Sequence, residues 1–266
     1  MKKDALSEKK LIELLQNEPF FSAVYCYDCV SSTNDLAKEL AQGGAPQGTV
    51  VLANSQTNGR GRLGRHFYSP GETGLYMSLI LRPEDVQQDA GLLTAGAAVA
   101  VQQAILAMTG VSVDIKWVND LYYQNKKLCG ILAESQFTSS GSFDYVVLGI
   151  GVNLAPPEGG YAEEIQGKTI SIAEFYDRGI SQAELCAAIF REWFTVYQKL
   201  PKAEFLQIYR EASCVLGKTI SYIQGGETYI GKALSIDERA RLIVLLKNGE
   251  TKTLETGEVT MVRPVL

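Results

Sequence analysis

The sequence predicts an α+β protein in two parts, a mixed sheet packed with helices over residues 1–214 and a small β-barrel over residues 215–266. Three observations carry this. Strand-like apolar runs and helical patterns intermix up to about residue 212. From Gly217 the texture changes to short β-rich runs, "KTISYIQGGETYIGKALSI" and "RLIVLLKNGETKTLETGEVTMVRP", turned by Gly-Gly and Asn-Gly pairs. Finally, 266 residues with 46% hydrophobic and 21% charged side chains are enough for one large globular core and a small companion.

The elements follow in order. Residues 7–16 pattern as a short amphipathic helix and residues 23–30 as a strand. "SSTNDLAKELAQGG" offers Ser/Thr caps, a helix and a Gly43-Gly44 stop. "GTVVLANSQ" and "GLYMSLILRP" read as strands, and an Ala-rich helix spans about 90–108. "VSVDIKWVND", "LYYQNKKLCGILAES" and "FDYVVLGIGVNL" are three further strand regions. Helices return at 171–177 and 181–200, the second with a capping box, Ser181 and Glu184, and Pro201 as its stop. A last helix at about 201–212 closes the first part, with the boundary near 213–217.

Composition removes several functions. A net charge of −5 leaves nucleic-acid binding to a local patch at most. The charged N-terminus lacks an apolar signal core. The longest uncharged stretch, Ala90–Val113, is rich in Ala and Gly and carries Gln102-Gln103, so it reads as a buried helix rather than a membrane span. Five cysteines without a signal fit a reducing cytoplasm. Cys26 and Cys29 form a C-x-x-C inside a strand pattern, with no second pair at zinc spacing. The single His66 leaves no set for a multi-histidine metal site.

"SQTNGRGRLGRHFYSP", residues 55–70, contains a literal G-x-G-x-x-G. A dinucleotide fold needs a helix opening on those glycines, and Pro70, Gly71 and Gly74 forbid a long one. A kinase glycine loop places Val where His66 stands. The two G-K-T strings, at 167–169 and 217–219, have Ala162 and Ala212 where a Walker loop has its first glycine. What remains is a seven-residue segment in which Arg60, Arg62 and Arg65 alternate with glycines. Three guanidiniums so close repel unless an anion sits among them, and the glycines let backbone amides approach it. Ordering about ten residues costs on the order of 10–20 kcal/mol. A surface cation–anion contact returns at most about 4 kcal/mol at 4 Å. The loop is therefore expected to be mobile when empty and to fold over its ligand. A solvated basic loop is the bland alternative.

A second constellation surrounds "KWVNDLYYQNKKLCGILAES", with Lys116, Asn119, Asp120, Lys127 and Glu134. Strand alternation puts Lys116 and Val118 on one face and Trp117 on the other. Asn119-Asp120 at a strand end would have both side chains free, either as a plain turn or to orient Mg²⁺, with two lysines nearby for phosphate charge. In "VVLGIGVNL", Gly149 and Gly151 weaken a strand unless something approaches its backbone closely.

G-R-G-R-x-G-R, K-W-x-N-D, K-L-x-G-I-L and G-I-G-x-N, in this order and spacing, resemble the biotin protein ligases. With "SSTN" at 31–34, the resemblance covers about residues 20–266. It implies a catalytic domain of class II synthetase-like biotin/lipoate ligase fold and an SH3-like C-terminal barrel. It also implies activation of biotin by ATP and Mg²⁺ to biotinyl-5'-AMP, then transfer to one lysine of a carboxylase's biotin carboxyl carrier domain. Carried over residue by residue, Ser32, Thr33 and Gln56 match the positions that hold the ureido head. Gly130, Gly149 and Gly151 match close-backbone positions around biotin, and Arg60, Arg62 and Arg65 the loop that covers the adenylate. Lys127 matches the lysine on the biotin carboxylate and α-phosphate; Lys116, Asn119, Asp120 and Asn153 fall on the nucleotide or metal side. Phe67 stands where the family often has Trp, Val118 where it usually has Pro, and Cys129 takes the variable place in K-L-x-G. About 20 residues precede the first strand, too few for the winged DNA-binding head of many bacterial members, so a ligase without repressor activity is expected.

The chemistry expected is positional. Biotin's carboxylate must meet the α-phosphorus of ATP, so Lys127, Arg62 and Mg²⁺ would neutralise both anions, with Asp120 to take the acceptor lysine's proton or to hold the metal. Lipoate or octanoate ligation is the nearest rival, and a nucleic-acid-binding regulator the rival from another class. No pattern decides between monomer and a homodimer through an exposed sheet edge.

Overall fold

A computed structural model describes residues 7–83 and 90–262. Its larger sheet has seven strands: β1 Ala23–Val30, β2 Thr49–Gln56, β3 Gly74–Leu81, β4 Asp114–Lys116, β5 Asp120–Tyr123, β6 Lys126–Phe137 and β7 Phe143–Asn153. Their order is β1-β2-β3-β7-β6-β5-β4. Only β1 and β2 pair parallel and every other neighbour is antiparallel, so the sheet is mixed, as predicted.

The inner strand β3 is buried along its whole length because both faces are covered. On one face lie α1 Glu8–Leu15, α3 Ala90–Thr109, α4 Gln182–Gln198 and α5 Leu206–Glu211, over a core that includes Val50, Leu52, Met77, Leu79 and Ile150. On the other, α2 Thr33–Gln42 packs Ala37 and Ala41 on Val51, Ile80, Tyr145 and Val147. The alternation Val50/Val51/Leu52 across the two faces is the period-2 rule of a strand. The Ala-rich α3 is long and apolar enough to cross a membrane by composition, and it is mostly buried inside the protein. Its Gly96 lets α4 approach, since a Cβ there would lie 2.9 Å from Val196.

Several expectations need correction. Residues 171–177 hold only a single 3-10 turn, Ile172–Glu174, closed by a Ser171–Glu174 capping box. The segment is too short to bury a helical face and is pinned by its cap instead. Helix α4 has the predicted Ser181–Glu184 box but ends at Gln198; Leu200–Lys202 is a 3-10 turn, and α5 begins at Leu206. "LYYQNKKLCGILAES" forms two strands, because Gln124 and Asn125 both adopt positive φ and make a tight hairpin. Ser32 occupies the N-cap of α2 without a side-chain capping bond. Trp117 and Val118 are both buried, so alternation ends at Lys116: β4 stops there and the chain turns into β5.

The C-terminal part is a five-stranded antiparallel sheet, β8 Thr219–Gln224, β9 Glu227–Ile236, β10 Leu242–Leu246, β11 Thr251–Leu254 and β12 Val259–Met261, in the order β11-β10-β9-β8-β12. Trp117 Nε1 donates to Ala240 O at 2.9 Å, and Arg210 Nε to Ile236 O at 2.7 Å, which locks this sheet against the first part.

Candidate active site

The cleft lies on the α2 face of the sheet, above β3, β7 and β6. Two rows of paired residues make its floor. Ser78, Gly149 and Leu132 are neighbours across β3, β7 and β6, and Tyr76, Gly151 and Gly130 form the next row on the same face. The spacing of G-I-G thus clears two successive same-face positions. What enters the cleared space is protein: a Cβ on Gly149 would lie 2.1 Å from Asn34 Oδ1, and one on Gly151 2.5 Å from the Phe67 ring. A Cβ on Gly130 would meet Phe67 at 3.2 Å and Lys127 at 3.3 Å.

Around this floor the structure gathers Ser32, Thr33, Gln56, Arg60, Arg62, Arg65, Phe67, Lys116, Asn119, Asp120 and Lys127. These come from the start of α2, the end of β2, the glycine–arginine loop and the β4–β5–β6 hairpins. Asn153 is set apart, in a neighbouring hollow shared with Phe67 and Lys127, where its amide donates to Lys127 O and Ile170 O. That bond steadies the strand from which Lys127 projects.

At one end sits a polar cluster. The Thr33 backbone N–H donates to Gln56 Oε1 at 2.9 Å, so Gln56 caps the first turn of α2 that Ser32 leaves uncapped. Gln56 Nε2 donates to Ser69 Oγ, and Ser69 donates to Phe67 O, which ties the head of the cleft to the base of the loop. Gly59 is required there, because a Cβ would lie 2.4 Å from Phe67 O.

The arginines are not held apart by waiting for a ligand. Arg60 pairs with Asp35 at 2.9 Å and Glu134 at 3.4 Å, and Arg65 pairs with Glu258 of the C-terminal part. Arg62 alone of the three touches no carboxylate among the described residues; it donates to Asn119 Oδ1, Thr256 Oγ1 and Gly257 O at 3.2, 2.7 and 3.0 Å. Burial pulls its pKa below the usual guanidinium value, while Asp120 and Glu258 pull it back up. A half-buried cation with only neutral oxygens in contact can take an anion without first breaking an ion pair.

Asn119 and Asp120 are likewise not free. Asn119 Nδ2 donates to Ile131 O at 2.7 Å, and Asp120 Oδ1 lies 2.8 Å from Lys127 Nζ. That Asp120 oxygen is buried and makes no aligned hydrogen bond, so a cation can still compete for it. Lys116 leans on the Tyr122 ring, 5.1 Å from its centroid. The sequence reading missed Asn34, Ser78 and Ser69 beneath the cleft, and Thr256, Gly257 and Glu258 at its mouth. "SSTN" held a signal for Asn34 only; the others are brought in by pairing register or by the second sheet. Cys26 and Cys29 are free thiols, and the described residues contain no group of three His, Cys, Asp or Glu side chains fit for a metal.

A mixed sheet, an arginine–glycine loop and a cleft with adjacent polar and cationic ends define the biotin/lipoate protein ligase class, and the sequence model of the Biotin/lipoate A/B protein ligase family matches residues 26–153. The bifunctional ligase/repressor BirA of Bacillus spizizenii is 33% identical over 250 residues, 93% of this chain and 77% of the relative. The biotin--[acetyl-CoA-carboxylase] ligase of Mycobacterium tuberculosis is 28% identical over 240 residues, 87% of this chain and 86% of the relative. The structure of the biotin protein ligase from Aquifex aeolicus in complex with biotin and ATP superposes with a TM-score of 0.78 at 26% identity, over 91% of this chain and 100% of that one. The chain belongs to the biotin protein ligase family and is a ligase.

Proposed function

We propose that this ligase joins biotin to ATP as biotinyl-5'-AMP and passes the biotin to one lysine of a biotin carboxyl carrier domain. The observation that carries the proposal is the pairing, in one cleft, of the Thr33–Gln56 polar end with Lys127 and the carboxylate-free Arg62, docked on adjacent residues Asp120 and Asn119. A ureido ring needs the polar end; a plain acyl chain does not.

In the first step a biotin carboxylate oxygen bonds to the α-phosphorus, and the bond from that phosphorus to the pyrophosphate oxygen breaks. Lys127 and Arg62 neutralise the two approaching anions, so catalysis is electrostatic and no protein nucleophile is used. Phe67, Lys116, Asn119 and Asn153 lie on the nucleotide side, and the Arg60–Arg65 loop keeps water off the mixed anhydride. Magnesium entering on the triphosphate would meet the buried Asp120 Oδ1, with phosphates and water completing its shell; it would spread charge on the phosphates. In the second step the neutral amine of the acceptor lysine bonds to the acyl carbon, AMP departs with the bridging oxygen, and Asp120 takes the amine proton. The C-terminal sheet is read as an SH3-like barrel that brings Thr256–Glu258 to the cleft. The free cysteines suit a reducing cytoplasm.

The test mixes purified protein, Mg-ATP and either biotin, lipoate or octanoate and measures pyrophosphate release. Biotin-dependent release supports the reading. Release only with lipoate or octanoate moves the chain to the sister activity, and none with any acid rejects adenylation.

A further inference from the structure

The glycine–arginine loop is a small hairpin in its own right. Phe67 N donates to Gly59 O at 2.8 Å and Gly61 N to Arg65 O at 2.7 Å, and Arg60 bridges to His66. Bonded to itself in this way it moves as one piece, so its position depends on where its side chains fasten it. One flank is fastened to the C-terminal part, Arg65 to Glu258 and Arg62 to Thr256 and Gly257. The other is fastened to the first part through Arg60. That guanidinium meets Asp35 as a fork, Nε to Oδ2 at 3.0 Å and Nη2 to Oδ1 at 2.9 Å, and its Nη1 reaches Glu134 Oε1 at 3.4 Å. Lys38 closes the ring, 3.1 Å from Asp35 and 3.0 Å from Glu134. Two cations alternate with two carboxylates.

Three members of this ring stand on rigid elements. Asp35 and Lys38 are neighbours on α2, three residues apart, and Asp35 lies in its first turn, where the helix dipole favours a carboxylate. Glu134 stands on β6, and its second oxygen accepts from the buried Asn34 amide at 2.9 Å. Only Arg60 comes from the loop. When it leaves, two carboxylates share one ammonium and a negative charge is left uncompensated; when it docks, the ring is neutral. The two flanks also differ in grip. Arg65 and Glu258 are 65% and 42% exposed, so water screens their pair, whereas Asp35, Glu134 and Lys38 are 25%, 25% and 24% exposed. Arg62 holds neutral oxygens that an entering anion can replace. The Arg60 ring has no such exchange to make.

We infer that Asp35, with Glu134 and Lys38, is a positioning residue for the covering loop: its ring with Arg60 is the standing anchor on the α2 side, and the Arg62–Arg65 flank is the one that yields. The anchor serves to retain the acyl-adenylate until the acceptor arrives. That purpose rests on the ligase reading; the anchor itself does not. Asp35 and Lys38 are not among the residues lining the cleft, so a change at Asp35 reaches the reaction through the loop.

Two measurements test this on Asp35→Asn, which keeps the shape and removes the charge. Hydrogen–deuterium exchange over residues 57–67 of the ligand-free protein reads the anchor. Pyrophosphate release with biotin and Mg-ATP, without acceptor, reads retention: a stoichiometric burst marks adenylation, and the slow phase after it marks loss of the adenylate. In Asp35→Asn the exchange and the slow phase are each expected to be about tenfold faster, with the burst rate within about twofold of wild type. Asp35→Glu, which restores the charge, is expected to recover most of both. In an Arg60→Gln background Asp35→Asn should add less than about twofold to either, because the partner it works through is gone. Unchanged exchange in Asp35→Asn overturns the inference and leaves the ligase reading intact. Faster exchange with a normal burst and an unchanged slow phase overturns it as well, since the loop would then move without losing the adenylate. So does a full effect of Asp35→Asn in the Arg60→Gln background. Faster exchange with no burst from wild type or variant supports the anchor and rejects the ligase reading.

Discussion

Gly151→Ala places one methyl group where the Phe67 ring now lies. The new Cβ would sit 2.5, 2.8 and 3.0 Å from three ring carbons, against about 3.5–4.0 Å for an unstrained carbon contact, so one of the two must move by about 1 Å. The strand cannot yield easily, because Gly151 is paired on both sides, to Tyr76 and to Gly130. The ring therefore moves, and overpacking of this kind costs about 1–3 kcal/mol. Phe67→Ala alone removes a half-buried ring and costs about 1–2 kcal/mol. In the double variant the methyl meets open space, so its destabilisation falls short of the sum by at least about 1 kcal/mol. Urea unfolding of the four proteins closes the cycle, and KM for ATP reports whether the displaced ring bears on the nucleotide. Additivity within about 0.5 kcal/mol would refute the claim that Gly151 exists to seat Phe67.

Other outcomes follow from the same contacts. Lys127→Ala should slow biotin-dependent pyrophosphate release by about 10²–10³-fold with unchanged circular dichroism, and normal release would refute its role. Cleavage by trypsin at Arg60–Arg65 should fall when biotin and ATP are added, and equal cleavage with and without them would remove the covering role of the loop. Arg82 donates to Ala41 O at 2.6 Å in the last turn of α2 and to Ala45 O at 3.1 Å beyond it, and pairs with Asp144; Arg82→Ala should lose about 1–3 kcal/mol in urea unfolding. Burial pushes the Glu174 carboxyl up, but hydrogen bonds from Tyr161 and Ser171 outweigh it and hold it below its ordinary 4.5. A depressed carboxylate stabilises the fold above the ordinary value and loses that contribution as pH falls through its folded one. Amide exchange of Ile170, which is bonded to Lys127 O, should therefore accelerate below about pH 4.5 in the wild type and be fast throughout in Glu174→Gln.

What the sequence made legible was local. Strand β7 and its two cleared positions are written in G-I-G, because a strand's period of two puts both glycines on one face. The capping box of α4 is written in Ser181 and Glu184 for the same reason, since both partners lie within one turn. What stayed hidden was set by register and by long-range packing. Nothing in "MSLI" marks Ser78 until β3 pairs it with Gly149, which brings it under an asparagine 44 residues away. Glu258 is a plain surface acid in the sequence, and only the packing of the second sheet turns it onto Arg65. The same packing changes the meaning of the arginine loop. Read as a string, three guanidiniums demand an external anion; in the fold, Asp35, Glu134 and Glu258 answer two of them, and the charge left over is Arg62. A chain of net charge −5 can therefore still present a cation in its cleft: its acidic side chains neutralise two of the arginines that build the loop and leave Arg62 without a carboxylate partner among the described residues.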